Sequence, residues 1–317
     1  MNIKEVQKKY GTQAKCLAYL EKLRWGKTVK CSYCDSDRVI KSKSEQGRYK
    51  CYSCNKSFSV MIGTIFQDTK LALSDWFLIT TLVLNSPTGI SAKMISRQTG
   101  VSLKTSWLTA MKLRCAMLDK KVELHGILQM DESYFGASKA RLDKNTDEST
   151  PILSDVTQKR GRGTKKISVA GIVETGGGGS VKTKVVEKLT ARNLMAMLNQ
   201  YVKTDESILI TDGFRSYSKM EEKIDHIIVE HKNSGKGVLN TNTIDGYWGL
   251  IKNGIRGSYK SISQKYLPFY LVEYDYKYSR INNRANLFEE FIISALTDES
   301  CMLNNKPIKE PKEVAYG

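Results

Sequence analysis

The sequence lacks the marks of a membrane or secreted protein. Its 317 residues contain no run of about 18 apolar residues, and the N-terminal stretch MNIKEVQKKY holds no apolar signal-peptide core. No serine or tyrosine stands in a recognisable nucleophile motif, and no repeat of fixed period is evident. We therefore expect a cytoplasmic protein that does not bind membranes, and the sequence disfavours a serine or tyrosine recombinase.

Cysteine is also scarce, and seven residues do not indicate the disulfide scaffold of a secreted protein. Four of them form two CxxC pairs, Cys31 with Cys34 and Cys51 with Cys54, separated by sixteen residues. This spacing predicts a β-hairpin that holds one tetrahedral Zn²⁺ in a zinc ribbon. A redox CxxC motif is the alternative, but no thioredoxin-like βαβ pattern surrounds either pair. The remaining cysteines are interpreted as buried or inert thiols: Cys16, Cys115 and Cys301.

Acidic residues are outnumbered by basic ones. The chain has 50 Lys and Arg against 33 Asp and Glu, which gives a formal net charge of +17. Such an excess usually indicates a polyanionic partner, although it also favours solubility alone. Together with the motifs described next, the charge favours double-stranded DNA as the partner.

The chain is longer than one typical domain. We predict a zinc ribbon with a helical lead over residues 1–62 and a helix-turn-helix region over 63–120. An α/β catalytic domain is predicted over 121–292, followed by a C-terminal tail over 293–317.

Within the second region, the pattern is typical of a helix-turn-helix. Ser91 can cap a short helix that ends at Gly100, and Ser102 can cap a second helix. The second helix of this motif commonly enters the major groove, so its basic residues are interpreted as DNA contacts: Lys104, Lys112 and Arg114. A helical hairpin that only packs against the rest of the protein would give a similar pattern.

Residues 121–290 alternate strand-like and helical segments, which predicts a mixed α/β sheet. The polar and basic stretch over 138–166 is interpreted as a mobile loop that orders on DNA, or as a solvated linker. The GGGG at 176–179 is typical of a hairpin turn, because no helix with a phosphate-binding lysine follows it.

Three aspartates lie where such a fold could gather them. Asp131 and Asp212 follow apolar, β-prone runs, and Asp245 opens an amphipathic helical pattern. Carboxylates suit Mg²⁺ or Mn²⁺, and a pair of such ions supports phosphodiester chemistry. Lys252 is seven residues after Asp245, about two helical turns, so the two share a face. Taken singly, each aspartate is as well explained as a turn or cap residue.

Neighbouring residues offer rival interpretations. Glu132 follows Asp131 directly, so on a strand its side chain should face the opposite side of the sheet. Asp275 stands in an aromatic helical segment and is interpreted as packing under the site rather than binding metal. Tyr247 and Trp248 could stack on an unpaired base, but an aromatic pair on a helix is more often core.

The order of these motifs resembles the bacterial insertion-sequence transposases of the ISXO type, which are relatives of the eukaryotic Merlin elements. The resemblance runs from the CxxC pairs through DESYFG, TDGFRSY and NTNTIDGYWGLIK to YLVEYDYKYSRINNR, roughly residues 15 to 290. It implies an N-terminal zinc ribbon and an RNase H-like catalytic domain. It also implies Mg²⁺-dependent strand cleavage and transfer, and recognition of the element's terminal inverted repeats.

On that resemblance, Asp131 and Asp212 match the first two acids of the family. Asp245 matches the third, where the family usually has the longer Glu, and Lys252 matches the lysine after it. Asn242 matches the TN pair and His231 the family's other histidine, and both are candidate DNA contacts.

The sequence thus predicts an RNase H-like mixed-sheet catalytic domain preceded by a zinc ribbon and a helix-turn-helix. The expected function is that of a DNA transposase, which acts as a homo-oligomer on terminal inverted repeats and target DNA, in association with the nucleoid. A non-catalytic DNA-binding regulator, or a domesticated transposase with a degenerate acid triad, is the alternative, because the third acid is shortened. An RNase H-type nuclease that cuts without joining is a further alternative.

Overall fold

The structure, a computed structural model, describes residues 1–118, 122–136, 166–176, 179–229 and 240–297. The chain forms two compact units. Residues 1–120, 257–259 and 272–317 make up the first, and residues 121–256 and 260–271 the second. The four-part division expected from the sequence stays a prediction. None of the helices in the described part of the chain is long and apolar enough to cross a membrane.

The first unit begins with two helices rather than one helical lead. Helix α1 spans Ile3–Tyr10 and helix α2 spans Gln13–Trp25. The break between them falls at Gly11 and Thr12, because the Thr12 side chain accepts a hydrogen bond from the Lys15 amide and caps α2.

The zinc ribbon follows as a small antiparallel sheet. Its central strand β2 (Arg48–Cys51) pairs with β1 (Val39–Lys41) on one side and β3 (Ser57–Ser59) on the other. Trp25, Tyr49 and Phe58 form an aromatic cluster beneath it, with ring centroids 5.3 to 5.8 Å apart. The predicted hairpin between the CxxC pairs is confirmed.

The rest of the first unit is helical. Helix α3 (Leu73–Leu84) is apolar on most sides and is buried among α1, α2 and two later helices, α5 (Leu103–Ala116) and α9 (Leu287–Thr297). Helix α4 (Ala92–Thr99) is capped by Ser91, and α5 is capped by Ser102. Gly100 ends α4 in the left-handed conformation at φ 74°, which a glycine adopts without strain. These caps confirm the predicted helix pair.

The second unit is built on a mixed sheet. Among the described residues, five strands lie in the order β6-β5-β4-β7-β8. Their bounds are Leu124–Phe135 (β4), Ile167–Glu174 (β5), Val181–Val186 (β6), Val202–Asp212 (β7) and Asp225–Val229 (β8). The first three strands are antiparallel, and β7 and β8 are parallel to β4 and to each other. This order and these directions are those of the predicted RNase H-like fold.

Helices cover both faces of the sheet. Helix α6 (Ala191–Tyr201) packs on the face that carries Leu128 and Met130. Helix α7 (Asn242–Gly254) lies on the opposite face and continues into a π-helical turn over Ile255–Tyr259. Helix α8 (Leu267–Tyr278) has residues in both units. Strands β5 and β6 pair antiparallel on either side of the GGGG stretch, as a hairpin requires.

Candidate active site and zinc centre

Strand pairing brings Asp131 and Asp212 side by side. Met130 on β4 is the register partner of Thr211 on the parallel strand β7, so the two aspartates occupy the next position on each strand. Paired residues of parallel strands point to the same face of the sheet. Both carboxylates therefore lie on the face that α7 covers.

Helix α7 brings the third aspartate to this face, and the buried Gln129 fixes the start of the helix. The Gln129 side-chain amide donates to the carbonyl of Asn240 at 2.7 Å and accepts from the Ile244 amide at 3.0 Å. Because Gln129 is two residues before Asp131 on β4, this clamp places the first turn of α7 beside the first acid. Asp245, in that turn, is exposed at the site.

Each aspartate accepts a hydrogen bond that orients its carboxylate. The indole Nε1 of Trp248 donates to Asp131 Oδ2 at 3.0 Å, and the Phe214 amide donates to Asp212 Oδ1 at 3.1 Å. The hydroxyl of Thr241, the residue directly before α7, donates to Asp245 Oδ2 at 3.2 Å. Fixed carboxylates of this kind are what a preorganised metal site requires.

The electrostatics show that negative charge is concentrated here. Burial, together with the charges of Glu132, Asp245 and Asp212, raises the pKa of Asp131 to about 7. Burial lowers the pKa of Lys252. Lys252 lies on the same side as the acids, because the charges of Asp131 and Asp245 both interact with its ammonium group. A divalent cation would relieve this repulsion, so the oxygen donors fit Mg²⁺ or Mn²⁺.

The three acids lie on one face of the sheet, but they do not form a ready-made ligand group. Among the described residues, the four cysteines are the one group of acid, cysteine or histidine side chains gathered to hold a metal ion, and their sulfurs lie within 4.8 Å of one another.

Of the two rival acids, Glu132 lies where the sequence predicted. Glu132 accepts a hydrogen bond from Tyr217 at 3.0 Å, and Tyr217 belongs to the core under α6. Glu132 therefore faces away from α7, which confirms the prediction. Asp275 is buried in the first unit, on α8. Tyr247 and Trp248 are both buried, which confirms that the pair is core.

Two positions that sequence reasoning missed hold this geometry together. Gln129 lies in a strand-like run with no signal of its own, and its partners are 111 and 115 residues away. Gly171 on β5 pairs with Asp131, and a Cβ there would lie 2.7 Å from the Trp248 ring. Only glycine lets the indole approach Asp131, and nothing local in the sequence signals that contact.

The predicted DNA-contact residues differ in their exposure to solvent. Lys104 is exposed in the first turn of α5, and Asn242 is exposed at the start of α7. Lys112 is half-buried over the Trp76 ring, and its pKa is lowered by burial. His231 and residues 138–165 of the basic stretch lie outside the described residues.

The interpretation of Arg114 as a DNA contact is wrong. Its side chain is 2% exposed, and Nε donates to Glu273 Oε2 at 2.7 Å. Lys277 binds the other oxygen of Glu273 at 2.6 Å. Arg114 is therefore part of a buried ion cluster in the first unit. Its positive charge offsets that of Glu273, whose burial without a partner would cost free energy.

The four cysteines of the two CxxC pairs come together as predicted. Cys31 Sγ lies 3.6 Å from Cys54 Sγ, and Cys34 Sγ lies 3.6 Å from Cys51 Sγ. Zn–S bonds of about 2.3 Å in a tetrahedron place sulfurs roughly 3.8 Å apart, so the four thiols fit Zn²⁺. The Tyr33 amide donates to Cys31 Sγ at 3.4 Å and orients that ligand. Cys16 and Cys115 are buried, as expected.

The strand order, the two acids side by side on adjacent strands and the four-cysteine ribbon together are the architecture of a DDE transposase. The ISXO2-like transposase domain family matches residues 123–279, and the transposase zinc-ribbon domain family matches residues 11–57. The predicted resemblance to ISXO-type transposases is confirmed by these two matches, which cover the zinc ribbon and most of the second unit.

Individual relatives are more distant. An uncharacterized protein in transposable element ISH50 of Halobacterium salinarum is 27% identical over 277 residues, covering 83% of this chain and 90% of that protein. The Mos1 strand transfer complex is 15% identical over 70% of this chain and 78% of that chain, with a TM-score of 0.30. The Mos1 paired-end complex with left transposon end is 17% identical over 70% and 79%, also with a TM-score of 0.30. At TM-scores this low, the two Mos1 structures do not support the fold; the strand order of the sheet does.

Proposed function

We propose that this chain is a DNA transposase that cleaves the ends of an insertion sequence and joins them to target DNA. The observation that carries the proposal is the convergence of Asp131, Asp212 and Asp245 on one face of an RNase H-like sheet. The match of residues 123–279 to the ISXO2-like transposase domain supports the same function.

In this proposal the three aspartates would hold Mg²⁺ or Mn²⁺, which when bound activates the attacking oxygen and stabilises the leaving oxygen of a phosphodiester. Trp248, Phe214 and Thr241 keep the carboxylates in position by the hydrogen bonds described above. Lys252, beside Asp131 and Asp245, holds the negatively charged phosphate of the strand to be cut.

DNA binding is assigned to the first unit and to the net charge of +17. The zinc ribbon and the α4–α5 helix pair would recognise the terminal inverted repeats, with Lys104 exposed at the start of α5. A homo-oligomer on DNA would hold the two ends of the element together.

An in vitro assay tests the proposal. The substrate is a duplex that carries the inverted repeats flanking the coding region in its genome, with a target plasmid and Mg²⁺ or Mn²⁺. We expect strand cleavage at the repeat and joining of the freed 3′ end to the plasmid. Cleavage without joining would identify a nuclease of the RNase H type instead.

One observation favours a second candidate, a non-catalytic DNA-binding regulator. Asp245 has a shorter side chain than the usual Glu, and among the described residues the three acids do not form a gathered ligand group of the kind that the four cysteines form. Specific binding of the repeats without any cleavage in either metal would establish this function.

A further inference from the structure

Helix α5 exposes apolar side chains on the side that faces solvent. The exposed residues within the helix are Leu103, Lys104 and Leu108, and the two leucines are 55% and 45% exposed. The other side of the helix is buried in the core of the first unit through residues such as Ala110 and Leu113. A helix that only packs against its own protein has a polar outer face, so the leucines indicate that α5 contacts a further molecule.

The two leucines can contact one surface together. They are five residues apart, which is about 140° around the helix and about 7.5 Å along its axis. Lys104 lies between them around the helix, so the three residues form one exposed arc in the N-terminal half of α5. In a helix-turn-helix, this part of the second helix contacts the base edges in the major groove.

The charge of the helix pair selects a polyanion as the contacted molecule. Residues 76–118 contain no Asp or Glu, and they contain five Lys or Arg. Three of these cations are exposed on α4 and α5: Lys93, Arg97 and Lys104. Neither helix carries a carboxylate that could attract the cations of a protein partner, whereas DNA phosphates suit this surface.

DNA offers one apolar group to leucine side chains in its major groove, the C5-methyl group of thymine. Leucine has no hydrogen-bond donor or acceptor, so it cannot pair with the polar edges of the bases. It can bury a methyl group, and the burial of one such group changes affinity about fourfold. The exposed leucines therefore fit thymines rather than the other bases.

We propose that Leu103 and Leu108 contact thymine methyl groups in the major groove of the terminal inverted repeat and so select its sequence. The inference rests on the proposed function in one respect, because that function supplies the repeat DNA. The separation of about 7.5 Å corresponds to about two base-pair steps, so the two thymines should lie about two base pairs apart.

Replacement of thymine by deoxyuridine tests the inference, because it removes only the methyl group. Fluorescence anisotropy, with the full zinc-loaded chain and no added Mg²⁺ or Mn²⁺, compares the repeat duplex with duplexes in which single thymines are replaced one at a time. We expect binding to weaken about fourfold at each of two positions about two base pairs apart.

Variants of α5 assign these two positions to the leucines. Leu103→Ala should remove the loss of affinity at one position and Leu108→Ala at the other, as in a double-mutant cycle. Alanine is favoured at exposed helix positions, so both variants should fold. Ile3→Ala is the matched control, because Ile3 is 40% exposed and, like Leu103, is the first residue of its helix. It should keep both losses.

Lys104→Ala separates affinity from sequence preference. Because a phosphate contact carries no sequence information, this variant should weaken binding to every duplex by the same factor and keep the loss at both positions.

The inference is overturned if no single deoxyuridine weakens binding in the parent, or if Leu103→Ala and Leu108→Ala keep both losses. A second copy of the chain is the competing partner for the leucines. Sedimentation velocity without DNA identifies it, and a parent dimer that both leucine variants dissociate would also overturn the inference.

These outcomes are distinct from failure of the proposed function. A parent that depends on the methyl groups but never cleaves contradicts the transposase proposal alone. A parent that cleaves and joins the repeat DNA without this dependence contradicts the assignment of the leucines alone.

Discussion

At the scale of single residues, the site depends on groups that orient the acids as much as on the acids themselves. Trp248 is buried in the core, yet its indole Nε1 reaches Asp131 because Gly171 leaves room for the ring. Gln129 in turn holds the helix that carries Asp245. These three residues would act by positioning, since none of them offers a metal ligand.

Trp248→Phe tests this positioning role. The phenyl ring keeps most of the packing and removes the donor to Asp131, so we expect cleavage to fall roughly tenfold. DNA affinity should stay unchanged, and a gel-shift measurement provides that control. A variant with full cleavage activity would show that the indole hydrogen bond has no part in catalysis.

Gly171→Ala should act through the same contact from the opposite strand. The added Cβ would lie 2.7 Å from the Trp248 ring and must displace it. We expect a loss of about 1–3 kcal/mol in the free energy of unfolding together with weaker cleavage. Gly249→Ala is the matched control. Gly249 is on α7, the helix that carries Trp248, and a Cβ at this position would have open space around it.

The raised pKa of Asp131 predicts a pH dependence of stability when no divalent ion is added. The folded carboxyl keeps its proton up to a pKa of about 7, whereas an unperturbed Asp has a pKa of about 3.8. The unfolded chain therefore binds fewer protons in this window, and stability falls as the pH rises from about 4 to 7.

Asp131→Asn removes that loss. Relative to the parent, the variant should gain about 1–2 kcal/mol in the free energy of unfolding at pH 8 and little at pH 4, allowing for solvent screening. Urea unfolding of both proteins at the two pH values measures the difference. An equal gain at both pH values would contradict the assignment of the shift.

At the scale of secondary-structure elements, local signals predicted boundaries well and predicted the burial of charges poorly. Ser91, Gly100 and Ser102 define their helix ends through contacts within a few residues, which a sequence displays directly. The partner of Arg114, by contrast, is 159 residues away. A basic residue on a helix gives no sign of whether its face is buried.

The candidate site likewise combines features that the sequence predicts with features that it does not. The acids were predictable because each follows a strand pattern or starts a helix pattern. The clamp by Gln129 and the space left by Gly171 were not, because each depends on a tertiary contact between distant segments.

The corrected view of helix α5 leads to a prediction about DNA binding. Lys104→Ala should weaken binding to the inverted repeat and reduce the slope of log K against log salt by about 0.9, the value for one phosphate contact. Lys112→Ala should change the slope less, since Lys112 is half-buried over Trp76. Equal slopes in Lys104→Ala and the parent would leave this helix with a packing role only.

Glu273 should be essential for the stability of the first unit. Glu273→Gln leaves Arg114 and Lys277 buried without their counter-charge, so the free energy of unfolding should fall by about 3–5 kcal/mol. Glu289→Gln, an exposed residue on α9, is the control and should change it little. A small effect at Glu273 would mean that the cluster is open to water.

At the scale of the whole molecule, the two compact units suggest that the zinc ribbon and the catalytic sheet can be tested separately. We expect about one Zn²⁺ per chain by elemental analysis, because four thiolates complete a structural site. Cys51→Ser should unfold the ribbon and weaken DNA binding while hydrogen exchange in strands β4 to β8 stays slow. Zinc-free protein with a folded ribbon would contradict the metal assignment.

The central claim is that Asp245 completes a catalytic site with Asp131 and Asp212, and cleavage by variants of Asp245 tests it most directly. Asp245→Asn keeps the shape and removes the charge, so cleavage with Mg²⁺ or Mn²⁺ should be abolished while DNA binding persists. Asp245→Glu should retain or raise activity, because the longer side chain brings the carboxylate nearer to the other two. Normal cleavage by Asp245→Asn would contradict the account, and a dead Asn242→Ala beside it would move the third ligand one helical turn earlier.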